Sequence, residues 1–138
     1  MRRGVKQLSQ NNNKGDSSMK IYGEQIDEIV VDRFEQIEKA VRRLDAEMQH
    51  FLVCTKTNSD FIQVAHDYEL DGKYIDFLVE VRLHKTEKDF KHYRTFNLKN
   101  TSEYLCVDTV IALFRSFYED TPLSNIVIWE DITSEIHS

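Results

Sequence analysis

The chain has 138 residues, of which 41% are hydrophobic and 30% charged, and a formal net charge of −6; this is enough for one domain with a single core and too little for two ordinary ones. No apolar run approaches the roughly 18 residues of a membrane span, the N-terminus lacks a secretory h-region, and Cys54 and Cys106 are too few and too far apart for a disulfide framework. These features predict a soluble cytoplasmic protein whose thiols are reduced.

Charge is unevenly placed. Residues 1–18 carry Arg2, Arg3, Lys6 and Lys14 against Asp16, a net of +3, so the remainder carries −9. An acidic body repels nucleic acid at long range and attracts basic partners. The basic stretch has no interleaved aromatics and ends in SQNNNKGDSS, which reads as a flexible leader. Met19 is then the expected natural start, and residues 19–138 a single domain.

The first expected element is a helix. Ile26, Ile29, Val30, Phe34, Ile37, Val41, Leu44 and Met48 recur at steps of three and four, with no Gly or Pro from Glu24 to Gln49, which predicts about six turns. Phe51–Lys56 is a short strand of uncertain inward parity, because Phe51 and Val53 compete with Leu52 and Cys54. Asp60–Asp67 is the next strand. Asp71 and Gly72 are the pair expected at a two-residue hairpin turn, after which comes the most strongly patterned stretch of the chain, Tyr74–His84.

In that stretch Ile75, Phe77, Val79, Val81 and Leu83 are all apolar, while Tyr74, Asp76, Glu80, Arg82 and His84 share the other parity with Leu78. Such alternation is a strand with one buried face, and burying the five apolar side chains contributes about 7 to 15 kcal/mol as an upper bound. A turn at Asp71-Gly72 sets Leu70 against Lys73, Val64 against Val79, Ile62 against Val81 and His66 against Phe77. On the other face Gln63 meets Glu80, Phe61 meets Arg82 and Asp67 meets Asp76.

A fourth strand, Phe90–Leu98, has conflicting parity, since His92 and Arg94 alternate with the same phase as Phe96 and Leu98; a bulge or an edge position resolves such a conflict. Following the apolar match instead brings Tyr93 to the polar face. Asn100 and Glu103 resemble a capping box opening a second helix with the stripe Leu105, Val107, Val110, Ile111, Phe114, Phe117 and Tyr118, ended by Thr121 and Pro122. Asn125–Ile132 is a last strand, and Ser134–Ser138 frays. The order is α-β-β-β-β-α-β: a two-layer α+β fold, an antiparallel meander of about four to five strands with both helices on one face. The structural alternative is one long helix cradled by a strongly curved sheet, as in cystatin-like folds.

Asp67 opposite Asp76 is the most informative polar feature, because a facing like-charge pair costs stability unless water, a cation or a partner's Arg or Lys relieves it. The plain alternative is a solvated face on which Glu80 and Arg82 form weak surface ion pairs. The two carboxylates lack the flanked cleft that acid–base catalysis needs. No HExxH or CxxC spacing offers a metal site, and no GxGxxG or GxxxxGK offers a phosphate cradle, so neither cofactor nor metal is expected. His66 is expected to be a hydrogen-bonded histidine at the edge of the core. Trp129 beside Glu130 and Asp131 is either a binding anchor or core cover.

The succession IEKAVRRLD, FLVCTKTNSDFIQVA, YIDFLVEVR, HYRTF, TSEYLCVDTVIALFRSFYED and IVIWEDI resembles small bacterial immunity-type proteins that accompany polymorphic toxins, over roughly residues 37–133. Its marks are a Gln in the second strand, a Glu and Arg in the third, an aromatic-rich helix and then a Trp. The resemblance implies a cytoplasmic, non-enzymatic protein that binds a toxin domain and blocks it, often an acidic inhibitor against a basic nuclease. The partner-binding residues expected on this reading are Asp67, Tyr74, Asp76, Glu80, Arg82 and Trp129. The alternatives are a small-ligand-binding or hydrolytic domain of the curved-sheet kind, and a structural homodimer using the open sheet face.

Overall fold

A computed structural model describes residues 18–44, 48–101 and 103–136. Among these, seven strands form one antiparallel sheet: β1 (Lys20–Gly23), β2 (Ile26–Val30), β3 (Phe51–Thr55), β4 (Phe61–Leu70), β5 (Lys73–His84), β6 (Phe90–Thr95) and β7 (Glu130–Asp131). Their spatial order is β2-β1-β3-β4-β5-β6-β7. Three helices accompany them, α1 (Phe34–Arg42), α2 (Val107–Tyr118) and α3 (Thr133–Ile136). The class is α+β as expected, with more strands and one more helix. The expected leader lies, apart from Ser18, outside the described residues.

The largest departure is at the N-terminal end of the domain. Among the described residues of the expected long helix only Phe34–Arg42 is helical; Ile26–Val30 is a strand that hairpins back onto β1 through Glu24-Gln25. Apolar steps of three and four over so short a run fit either state, and Ile26, Ile29, Val30 and Val31 are β-branched, which favours a pleated surface over a helix. α1 begins where the Gln36 side chain turns back, its Oε1 accepting from the Asp32 and Arg33 amides at 2.5 and 3.1 Å. A nine-residue α1 beside α2 is not the single long helix of the cystatin-like alternative.

The core lies between one sheet face and the two longer helices. Phe34, Ile37, Ala40 and Val41 of α1 and Val110, Leu113, Phe114 and Phe117 of α2 join Ile21, Leu52, Cys54, Ile62, Val64, Phe77, Val79 and Val81 in one buried cluster. α1 and α2 therefore cover the same side. Burial also lifts the Cys54 thiol to a pKa of about 12, so it packs as an inert small hydrophobe.

The register set by Asp71-Gly72 holds along the β4–β5 hairpin. Leu70 pairs with Lys73, Val64 with Val79, Ile62 with Val81, His66 with Phe77, Gln63 with Glu80 and Phe61 with Arg82. One interruption matters. Asp67 has φ +56°, and the Asp67–Asp76 rung is missing between those of His66 and Tyr68, so the expected pairing of these two residues is absent from the ladder. Asp adopts the left-handed region more readily than most residues.

Further along, β6 stops at Thr95, and the parity conflict ends with it. Tyr93 pairs with Val81, while His92 and Arg94 pair with Arg82 and Glu80; the alternative that put Tyr93 on the polar face is corrected. Past the strand, Leu98 bridges to Val127 and packs against the core. α2 opens at Val107 rather than after Asn100, with Cys106 at its N-cap. It closes in a Schellman motif: Asp120, at φ +58°, donates to the Phe117 carbonyl and Thr121 to that of Ser116, at 3.3 and 3.0 Å. The expected last strand shrinks to Glu130–Asp131, and Thr133–Ile136 coils where fraying was expected. Among the described residues no helix is long and apolar enough to cross a membrane.

Candidate functional site: the sheet face opposite the long helices

Strand alternation places a second set of side chains on the face that α1 and α2 leave uncovered. Val53 and Leu78 are buried yet lie outside the core cluster, so β3 and β5 pack side chains on both faces. This settles the parity of β3: Leu52 and Cys54 point to the helices, and Phe51 and Val53 to the far side. Tyr22, Phe51, Val53, Tyr68, Leu78 and Glu80, with Gln63, Val64 and Ala65, line a shallow depression there of about 490 Å³. Regular alternation would put Tyr68, opposite Ile75, on the helix side. The left-handed Asp67 just before it breaks that alternation.

Gly23 permits the β1 edge of this surface. A Cβ there would lie 2.1 Å from Gln49 Nε2 and 2.7 Å from the Phe51 carbonyl oxygen. Gln49, though 96% buried by its 4% exposure, is satisfied: Oε1 accepts from the Gln25 amide at 2.6 Å and Nε2 donates to the Phe51 carbonyl at 2.9 Å. The side chain ties the β1–β2 turn to the start of β3, where Tyr22 pairs with Val53 and shares the depression with Phe51.

Towards β6 the same face carries a polar cluster. His92, 2% exposed, sits with Nε2 2.6 Å from Glu80 Oε1 and Nδ1 3.1 Å from Arg82 Nε. Arg82 Nε–H donates, so Nδ1 accepts and Nε2–H donates to Glu80, which fixes the neutral tautomer. The Arg82 guanidinium also lies over the rings of Phe90 and Phe61, at 4.4 and 5.3 Å. Arg94 Nε donates to Glu130 at 2.8 Å, a bond that raises the Arg94 pKa. The His92 amide donates to Thr133 Oγ1 at 2.9 Å, and α3 packs beside β6. This end of the face is internally neutralised and partly roofed.

The other end is neither. Across 67–76, Asp67, Glu69, Asp71 and Asp76 stand against Lys73 alone, and all five are exposed. Tyr74 is 66% exposed, Tyr68 42% and Tyr22 39%. The expected partner residues thus divide into three groups. Asp67, Tyr74 and Asp76 lie on the exposed hairpin; Glu80 and Arg82 meet through His92 further along β5, rather than as a weak surface pair. Trp129 is on the opposite side of the sheet, packed against the core with Nε1–H donating to the Ser124 carbonyl at 2.8 Å.

Sequence reasoning missed Tyr22, Phe51, Tyr68 and His92. The parity conflict at His92 was the available signal for the last of these: a histidine in phase with Arg94, opposite Arg82 and Glu80, belongs to the polar face. His66 also departs from expectation, with its ring 4.9 Å from that of Phe77 and its buried Nδ1 without a hydrogen-bond partner. Among the described residues no cluster of three or more His, Cys, Asp or Glu could hold a metal ion. The chain matches no protein-family model, no curated protein and no solved structure.

Proposed function

We propose that this chain is a non-enzymatic binding domain that receives a basic protein partner on the sheet face opposite α1 and α2, as an immunity-type inhibitor receives and occludes a toxin domain. One observation carries this reading: an aromatic depression of about 490 Å³ adjoins a hairpin bearing four carboxylates and one lysine. Exposed tyrosines give large contact area at low entropic cost, and they accept the aliphatic stems and cationic heads of Lys and Arg. The carboxylates of the hairpin raise the encounter rate, and the rings that become desolvated supply affinity. The mechanism is occlusion, with no bond made or broken. Arg82 and Glu80, already satisfied through His92, hold the floor of the face rather than contact the partner.

Affinity capture from the source organism, followed by binding measurements on the captured protein, tests the proposal. Asp67→Asn with Asp76→Asn should weaken binding about tenfold at low salt and flatten its salt dependence. Undiminished affinity at low salt rejects the hairpin as the docking element.

A further inference from the structure

On the helix side of the sheet a separate cavity of about 300 Å³ opens between β4–β5, the C-terminal turn of α2 and the segment 121–129. Ile62, Val81, Leu113, Phe117 and Trp129 wall it, and Lys56, Asp60 and Asp120 reach it. The Lys56 ammonium is already engaged: it lies 4.1 Å from the Phe117 ring centroid and is ion-paired with Asp120. Asp60 is not fully engaged. Only 8% exposed, it uses Oδ1 to accept from the His84 amide and from His84 Nδ1, at 2.7 and 2.9 Å. Its second oxygen accepts no hydrogen bond from the described residues.

The second Asp60 oxygen is not among the side-chain atoms closed off without a partner, so beside apolar and aromatic walls it stands open as an acceptor for a ligand donor. Asp120 is taken up by Lys56, so the Asp60 carboxylate, with one oxygen bonded to His84, is the group that disfavours anions and favours a cation. Its volume is at the small end for ligand sites and holds roughly ten non-hydrogen atoms at about 30 Å³ each. We propose that this cavity binds a small organic cation, a primary ammonium on an apolar or aromatic body, with the ammonium on Asp60 and the body between Phe117 and Trp129. The site faces away from the proposed partner surface, so it stands or falls independently of that reading.

Trp129 is the only tryptophan of the chain, and its fluorescence reports the cavity directly. The full-length protein is titrated at constant ionic strength with benzylammonium, benzyl alcohol and benzoate. Benzylammonium should give a saturable change at millimolar concentration, with half-saturation about tenfold below that of benzyl alcohol, and benzoate should give none. Asp60→Asn, which keeps the acceptor oxygen for His84, should reduce the preference for the cation to within about twofold. Ser116→Phe, which fills the cavity from α2, should abolish the response while far-UV circular dichroism stays native, and it decides the matter alone if the Asn variant does not fold. No saturable response to benzylammonium, equal response to the alcohol and the cation, or a response that survives Ser116→Phe in folded protein would overturn the proposal.

Discussion

Replacing Gly23 with Ala probes the junction on which the β1 edge of the partner face depends. The new methyl would lie 2.1 Å from Gln49 Nε2 and 2.7 Å from the Phe51 carbonyl oxygen. The second contact is with backbone and cannot be relieved by a rotamer change. If Gln49 swings away it gives up bonds to the Gln25 amide and the Phe51 carbonyl, each worth about 0.5–1.5 kcal/mol net. If it stays, the β1–β3 ladder must move, and overpacking of that kind costs about 1–3 kcal/mol. Either route predicts a loss of about 1–3 kcal/mol. Urea denaturation followed by far-UV circular dichroism measures it, with the midpoint falling and the slope unchanged. In the double variant with Gln49→Ala the side-chain contact is gone and the carbonyl contact remains, so the two losses should add to less than their sum. A loss under about 0.5 kcal/mol for Gly23→Ala would refute the close approach of β1 to β3 at this point.

Two further predictions concern single groups. Native protein treated with iodoacetamide should be alkylated at Cys106 and not at Cys54: Cys106 is exposed and its thiol pKa is lowered, chiefly by the hydrogen bond with Thr109, whereas burial lifts that of Cys54 to about 12; peptide mapping by mass spectrometry reads the outcome. The Asp131 carboxyl is held below its ordinary value by the Thr133 hydroxyl first and the Thr133 amide second. Because its folded value is the lower one, this contribution is complete above the unfolded aspartate value and is lost as pH falls through the depressed one. An NMR titration of the Asp131 carboxyl should show a depressed midpoint, and Thr133→Val should raise it.

Legibility in the sequence followed the strength of local constraint. The β4–β5 register could be read because Asp71-Gly72 admits one tight turn, with both residues at positive φ, 52° and 81°, and because a one-residue slip would expose Ile75, Phe77, Val79 and Val81 together. The helix expected over Glu24–Gln49 failed where spacing alone was used: Ile26, Ile29 and Val30 fit both periods, and their β-branching together with pairing to β1 selects the strand. The apolar run Asn125–Ile132 reads as a long strand, yet β6 ends at Thr95 and leaves it little to pair with. The candidate face was legible in part. Alternation along β5 located Asp76, Glu80 and Arg82 on it, but Trp129 goes to the other side because the β6–β7 register sets it in phase with Tyr93 and Thr95, opposite Val81 and Val79, and Tyr68 arrives through a left-handed Asp67 that no pattern announces.

Hydroxyl-radical footprinting of the protein, free and bound to its captured partner, tests the location of binding most directly. Tyr22, Tyr68 and Tyr74 are exposed and should be oxidised readily when free and protected when bound, while Trp129 and the outer surfaces of α1 and α2 react equally in both states. Protection confined to the helices or to the 121–129 segment, with those three tyrosines unchanged, would contradict the assignment of the partner to the far face of the sheet.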